Sequence, residues 1–240
     1  MKTLLALLIA LSSVGGAQPD FSQERALASL KHLSVDIGPR PMGSPAEGEA
    51  LRYAVEQFRR NGCDTAYLMP MTRTPSVNTT SGVAVGIKFG RSMRMIVIGG
   101  HIDSEGPEIP GADDDGSGSA CVIELARVFC SRPNVSTIVF CCFGGEEQGL
   151  QGSRYFVDNF RDIDSVDLMV QLDMANGLGT LNIDPNTAGC AAPRWLTSAA
   201  VEEFHTLGYD NLLYPTHFFA MNYASAVSSG SDHEPFLECG

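Results

Sequence analysis

Three apolar runs, each ending in acids or a histidine, constrain this chain more than any other feature. MIVIGG (95–100), IVFCCFGG (138–145) and LMVQL (168–172) have almost no polar position. A strand with one wet face alternates, whereas a strand that is apolar throughout needs cover on both faces. The remaining pattern supplies that cover. Leu27, Leu30 and Leu33 recur at helical spacing in residues 22–33, and residues 118–130, 149–160 and 192–207 also read as helices. Ser44 and Glu47 form a capping box with Pro45 at the first helical position. Leu51, Ala54, Val55 and Phe58 line one face of that helix, and Gly62 ends it. With SGVAVGIKF (81–89) and TLNID (180–184) as further strands, strand and helix alternate. The expected class is α/β, a three-layer sandwich in one domain over residues 18–240.

The polar residues fall where the apolar runs stop. MIVIGG leads into His101 and Asp103, IVFCCFGG into Glu146 and Glu147, and LMVQL into Asp173. GADDDGSG, with Asp113, Asp114 and Asp115, lies between the first two. Ligands of α/β sheets bind at the carboxyl ends of the strands, so these groups should meet on one rim. Clustered carboxylates repel and raise one another's pKa. No Lys or Arg lies within these segments, which leaves a metal cation as the partner. Histidine with Asp and Glu suits Zn²⁺, with Mn²⁺ or Co²⁺ as other fits. The donors exceed the needs of one tetrahedral ion and suggest two metals sharing a carboxylate. Other schemes lack their motifs. His233-Glu234 runs into Pro235 rather than along an H-E-x-x-H helix, and there is no G-x-S-x-G elbow, P-loop or EF-hand spacing.

Composition narrows the partners. A formal net charge of −12 argues against nucleic acid or an anionic membrane as the main partner. Residues 1–17, with Lys2, the apolar Leu4–Leu11 and the small Gly15-Gly16-Ala17, read as a secretory signal peptide. That predicts a secreted or periplasmic protein beginning near Gln18. The seven cysteines contain no C-x-x-C pair and their odd count leaves at least one free, so the spacing specifies no disulfide framework, and a cysteine-ligated zinc is not expected. Sequons at Asn78 and Asn134 are read as chance occurrences, and His32, His205 and His217 as structural or surface residues.

GGHIDS, PGADDDGSG, FGGEEQGLQGS, QLDM and GSDHEPF, in that order, resemble the di-zinc exopeptidase family. It includes secreted bacterial aminopeptidases, glutamate carboxypeptidase, the transferrin receptor ectodomain and glutaminyl cyclases. The resemblance implies a mixed, mostly parallel sheet with helices on both faces. It implies that His101, Asp113, Glu147 and Asp173 ligate two zinc ions, with Asp113 bridging them and the Asp113–Asp114 peptide cis. It makes Asp103 the group that orients His101, and Glu146 the general base that deprotonates the attacking water and returns the proton to the leaving amine. The family's last ligand is a histidine beyond one further strand after the S-D-H-x-P-F segment. These 240 residues do not include it, so a longer parent protein is expected, with His233 as the alternative ligand.

The function implied is a zinc-dependent aminopeptidase acting on peptide substrates. A glutaminyl-cyclase-like single-zinc acyltransferase and a non-catalytic binding homologue are the competing readings. The Asp run favours a two-metal hydrolase over the cyclase, and Glu146 favours an enzyme over the binding homologue. Nothing in the sequence specifies the oligomeric state.

Overall fold

A computed structural model describes residues 20–71, 81–175, 181–182, 186–187, 190–191, 194–206, 212–213 and 231–238. They fall in two compact units, residues 18–176 with 231–240, and residues 177–230. Residues 1–17, read above as a signal peptide, and Asn78 and His217 lie outside the described residues.

The larger unit begins with α1 (Gln23–Lys31), whose Ser22 side chain accepts from the Arg25 N–H, and continues through a wide turn at His32–Ile37. Helix α2 (Pro45–Arg60) starts as expected, with the Glu47 N–H donating to Ser44 Oγ at 3.0 Å. The reciprocal half of the capping box differs. The Glu47 carboxylate takes the Gly43 N–H at 2.6 Å and the Ser81 hydroxyl at 2.6 Å. It is thereby held beneath the loop after the strand bearing Glu146.

Strands β1 (Thr65–Pro70), β2 (Gly82–Lys88), β3 (Ser92–His101), β4 (Ser136–Phe143) and β5 (Val166–Gln171) form one sheet in the order β1-β2-β4-β3-β5. Strand β2 alone runs against the other four, so the sheet is mixed and mostly parallel. Strand β1 was not expected. It is a half-buried edge strand whose main chain pairs with β2 while its side chains show no clean alternation.

Helices lie on both faces, as the apolar strands require. Val83, Val85, Val97, Val139, Cys141 and Phe143 point to one side, against Phe156 and Val157 of α4 (Gln151–Asn159) and against Phe160. Phe236 of α6 (Glu234–Glu238) joins them, with its ring centroid 5.8 Å from that of Phe156. Helices α2 and α3 (Gly118–Cys130) cover the other side. Phe58 and Phe129 meet Phe140 there at 6.1 and 6.5 Å between centroids. Gly86 permits this approach, because a Cβ on it would overlap the Phe58 ring. The Asn134 sequon is mostly buried and its amide donates to the Phe129 and Arg132 carbonyls, so it serves as a loop brace. His32 packs on Tyr53 and faces Asp36.

The smaller unit carries β6 (Leu181–Asn182) paired with β9 (Leu212–Leu213), β7 (Asn186–Thr187) paired with β8 (Cys190–Ala191), and α5 (Arg194–Thr206). Among the described residues no helix is long and apolar enough to cross a membrane.

Candidate metal centre

Parallel register fixes the site. His101 of β3 pairs with Phe143 of β4, and Gly99 pairs with Gln171 of β5. The residues just beyond each strand therefore leave the sheet on the same rim. His101, Asp103, Glu146, Glu147 and Asp173 are brought together there although they span over seventy positions.

His101 is the hub, 1% exposed. Its Nε2 lies 2.9 Å from Asp114 Oδ1, 3.8 Å from Asp173 Oδ1 and 4.0 Å from Glu146 Oε2. Behind the ring, Nδ1 faces Asp103 Oδ1 at 3.5 Å. Asp103, fully buried, also accepts the Glu146 N–H at 3.0 Å and the Glu147 N–H at 3.3 Å. One carboxylate thus ties the histidine strand to the glutamate pair. Asp173 Oδ2 accepts from the Ser231 hydroxyl at 2.7 Å.

The Asp run corrects the sequence reading by one position. The residue facing His101 Nε2 is Asp114, and the cis peptide is Asp114–Asp115, not Asp113–Asp114. Asp113 sits in the preceding turn, where its carbonyl accepts from Ser117 Oγ, and it belongs to neither ligand cluster. Three consecutive Asp residues offer three registers, and only the path of the loop selects among them. Asp115 points inward and holds the loop. It is fully buried and accepts backbone N–H groups from Gly118 at 2.8 Å, His101 at 3.0 Å and Met174 at 3.1 Å. Met174 adopts a left-handed φ of 56° to make that bond, and Gly118 has no room for a Cβ between Asp115 and the Leu172 carbonyl.

A divalent cation fits these donors. His101, Asp114 and Glu147 have one ligand atom each within 4.8 Å of one another, and so do His101, Asp115 and Asp173. Both Asp115 oxygens are already engaged by backbone N–H groups, which leaves His101, Asp114, Glu147 and Asp173 as the side chains best placed to meet a cation. One imidazole with carboxylates suits zinc. Among the described residues His233 belongs to neither cluster.

The electrostatics show the cost of crowding. Burial above all, and then Asp232, Asp173 and Asp103, push Glu146 up to about 8 against the pull of His101. Burial and Asp114 likewise raise Glu147. Burial pulls His101 down, but hydrogen bonds to Asp103 and Asp114 outweigh it and leave the imidazole well above its usual range.

Two flanking groups escaped the sequence reading. Asp232, in the S-D-H-x-P-F segment, is fully buried and pushed up to about 7, chiefly by that burial. Arg40 lies outside the strand-end segments, between the two prolines of GPRP, yet folds in beneath the rim and is 0% exposed. Its Nε donates to the Ile102 carbonyl at 2.5 Å, and its terminal nitrogens donate to Pro110 at 2.5 Å and Gly111 at 2.7 Å. Burial brings it down to about 10 although Asp103 and Asp115 favour its charge. Arg40→Ala should therefore cost on the order of 3 kcal/mol or more in urea unfolding, as several buried carbonyls lose their donor. Arg40→Lys should recover little, because an ammonium cannot reproduce the planar fork. Full rescue by Lys would reduce Arg40 to a point charge.

An α/β sheet carrying one histidine and several carboxylates at its parallel strand ends is a candidate metal-binding fold. The model of Peptidase family M28 matches residues 83–240, and the chain belongs to that family. It is 31% identical over 175 residues to the aminopeptidase YwaD of Bacillus subtilis, a match covering 68% of this chain and 34% of that protein. The fold superposes on a zinc aminopeptidase from Bacillus subtilis with a TM-score of 0.70 at 19% identity, covering 94% of this chain and 84% of the other. It also superposes on a glutaminyl cyclase from an Acidobacteriales bacterium with a TM-score of 0.71 at 18% identity, covering 95% and 81%. The chain spans less than half the length of the curated relatives it matches.

Proposed function

We propose that this chain forms the catalytic core of an exported, zinc-dependent aminopeptidase that removes N-terminal residues from peptides. The observation that carries the reading is the convergence of His101, Asp114, Glu147 and Asp173 on one rim, with Glu146 beside them. These four ligands would hold zinc, and a complete site would hold two ions. When bound, zinc supplies Lewis acidity, polarising a scissile carbonyl and making water acidic enough to attack near neutral pH.

The chain's own residues supply the rest. Asp103 accepts the Glu146 and Glu147 N–H groups and faces His101 Nδ1, so it positions both the base and a ligand. Glu146, about one-seventh exposed with its side chain 14% accessible, takes the proton of the attacking water and hands it to the departing amine. The apolar leader of residues 1–17 supports export.

The test combines zinc titration of the purified protein with turnover of aminoacyl anilides and of peptides beginning with glutamine. The expected outcome is zinc-dependent release of the anilide. Zinc-dependent cyclisation of the glutamine peptides without hydrolysis would make the protein a cyclase, and zinc binding with neither reaction would make it a binding homologue.

A further inference from the structure

The sulfur atoms of Cys63 and Cys130 lie 3.5 Å apart, well away from the strand-end rim. Cys63 follows the end of α2 and Cys130 is the last residue of α3, so the two helices on this face of the sheet finish side by side. We propose that Cys63 and Cys130 form a disulfide that cross-links the ends of these helices when the protein meets an oxidising compartment.

Several observations single out this pair. The residues are 67 positions apart in sequence, so their contact is a product of the fold. Both are partly exposed, whereas Cys141 and Cys142 are fully buried in β4. Gly62 lets the chain turn with a φ of +89°, and the space beside it is occupied by the Cys130 Cβ at contact distance. The Lys88 ammonium, paired with Asp64 at 3.1 Å, lies close enough to favour a Cys130 thiolate. A hydrogen bond from Cys63, then that lysine, hold Cys130 below the usual thiol range against burial, whereas burial pushes Cys121 up to about 11. The thiolate is the nucleophile in disulfide exchange.

The exchange balances with a small-molecule or protein disulfide as oxidant. The Cys130 thiolate attacks one sulfur of oxidised glutathione, which forms a mixed disulfide and expels one glutathione thiolate. Cys63 then gives its proton to solvent and attacks Cys130 Sγ, expelling the second glutathione thiolate. Two protein thiols are oxidised, the oxidant takes two electrons, and the expelled thiolates take up two protons. This cross-link is independent of the peptidase reading and survives its failure.

The full chain is incubated with oxidised glutathione, alkylated without reduction and digested. The expected result is one peptide pair joined through Cys63 and Cys130, with Cys141 and Cys142 alkylated only after unfolding. The oxidised chain should melt ~5–10 °C above the reduced chain, because a long loop of the unfolded ensemble is closed. Cys63→Ser and Cys130→Ser should each remove both the linked peptide and the melting difference. Stable glutathione adducts on both cysteines, free thiols at equilibrium, or linkage of either residue to another cysteine would each overturn the proposal. The mapping uses the wild-type chain, so a variant that fails to fold leaves the result intact.

Discussion

Glu146→Gln should lower peptide turnover by roughly 10²–10⁴-fold while leaving zinc content unchanged, because general acid–base groups contribute on that scale. The backbone of Glu146 is fixed by Asp103 Oδ1 at 3.0 Å, and its carboxylate turns back toward His101 at 4.0 Å. Glutamine keeps that shape and presents an amide that cannot accept the proton. The neighbouring Glu147, which shares the Asp103 carboxylate through its own N–H, belongs instead to the cluster with His101 and Asp114. The proposed function therefore divides the pair into a base, Glu146, and a ligand, Glu147. Metal analysis alongside steady-state kinetics reads both halves. Loss of zinc from Glu146→Gln would exchange their roles, and full activity would remove Glu146 from the chemistry altogether.

Asp114→Asn should weaken zinc binding by more than the ~10–100-fold that an outer hydrogen-bonding partner is worth, whereas Asp113→Asn should leave it unchanged. Asp114 Oδ1 lies 2.9 Å from His101 Nε2 and its side chain is 50% exposed, so the substitution removes a donor without disturbing the core. The hydrogen bond to His101 holds its carboxyl below the usual range. Asp113 lies in the turn before it and joins neither cluster. Competition against a chromophoric zinc chelator gives both affinities. The reverse ranking would place the ligand at Asp113 and return the loop to the register expected from sequence. Asp115→Asn tests a third role. Its oxygens accept N–H groups from Gly118, His101 and Met174, so this change should lower thermal stability as well as metal affinity.

Much of the frame was legible before any coordinates. An apolar residue at every position of 138–143 can be satisfied only between two layers, and that fixed the three-layer class. Helix α3 was expected at residues 118–130 and occurs as Gly118–Cys130, because apolar periodicity and flanking Gly-Ser punctuation are local signals. That His101, Glu146, Glu147 and Asp173 would meet on one rim was legible, because a polar residue directly after an apolar strand has only the rim to occupy. Strand β1 was not legible, since an edge strand is held by main-chain pairing to β2 and its side chains carry little pattern.

What the tertiary structure alone decided was register and second contacts. Within Asp113-Asp114-Asp115 the three residues are chemically identical, and the loop's path puts the first in a turn, turns the second toward His101 Nε2 and makes the third a loop-holding brace. Arg40 and Glu47 looked like parts of a loop and a helix cap. Folding buries both under the strand ends, where their hydrogen bonds join segments more than thirty positions apart. Cys63 and Cys130 share no motif, yet the ends of two helices bring them to 3.5 Å. A sequence states which chemical groups are available and which local pattern carries them. Distances between segments far apart in the chain follow from sheet register and helix packing, and those are set only when the whole core assembles.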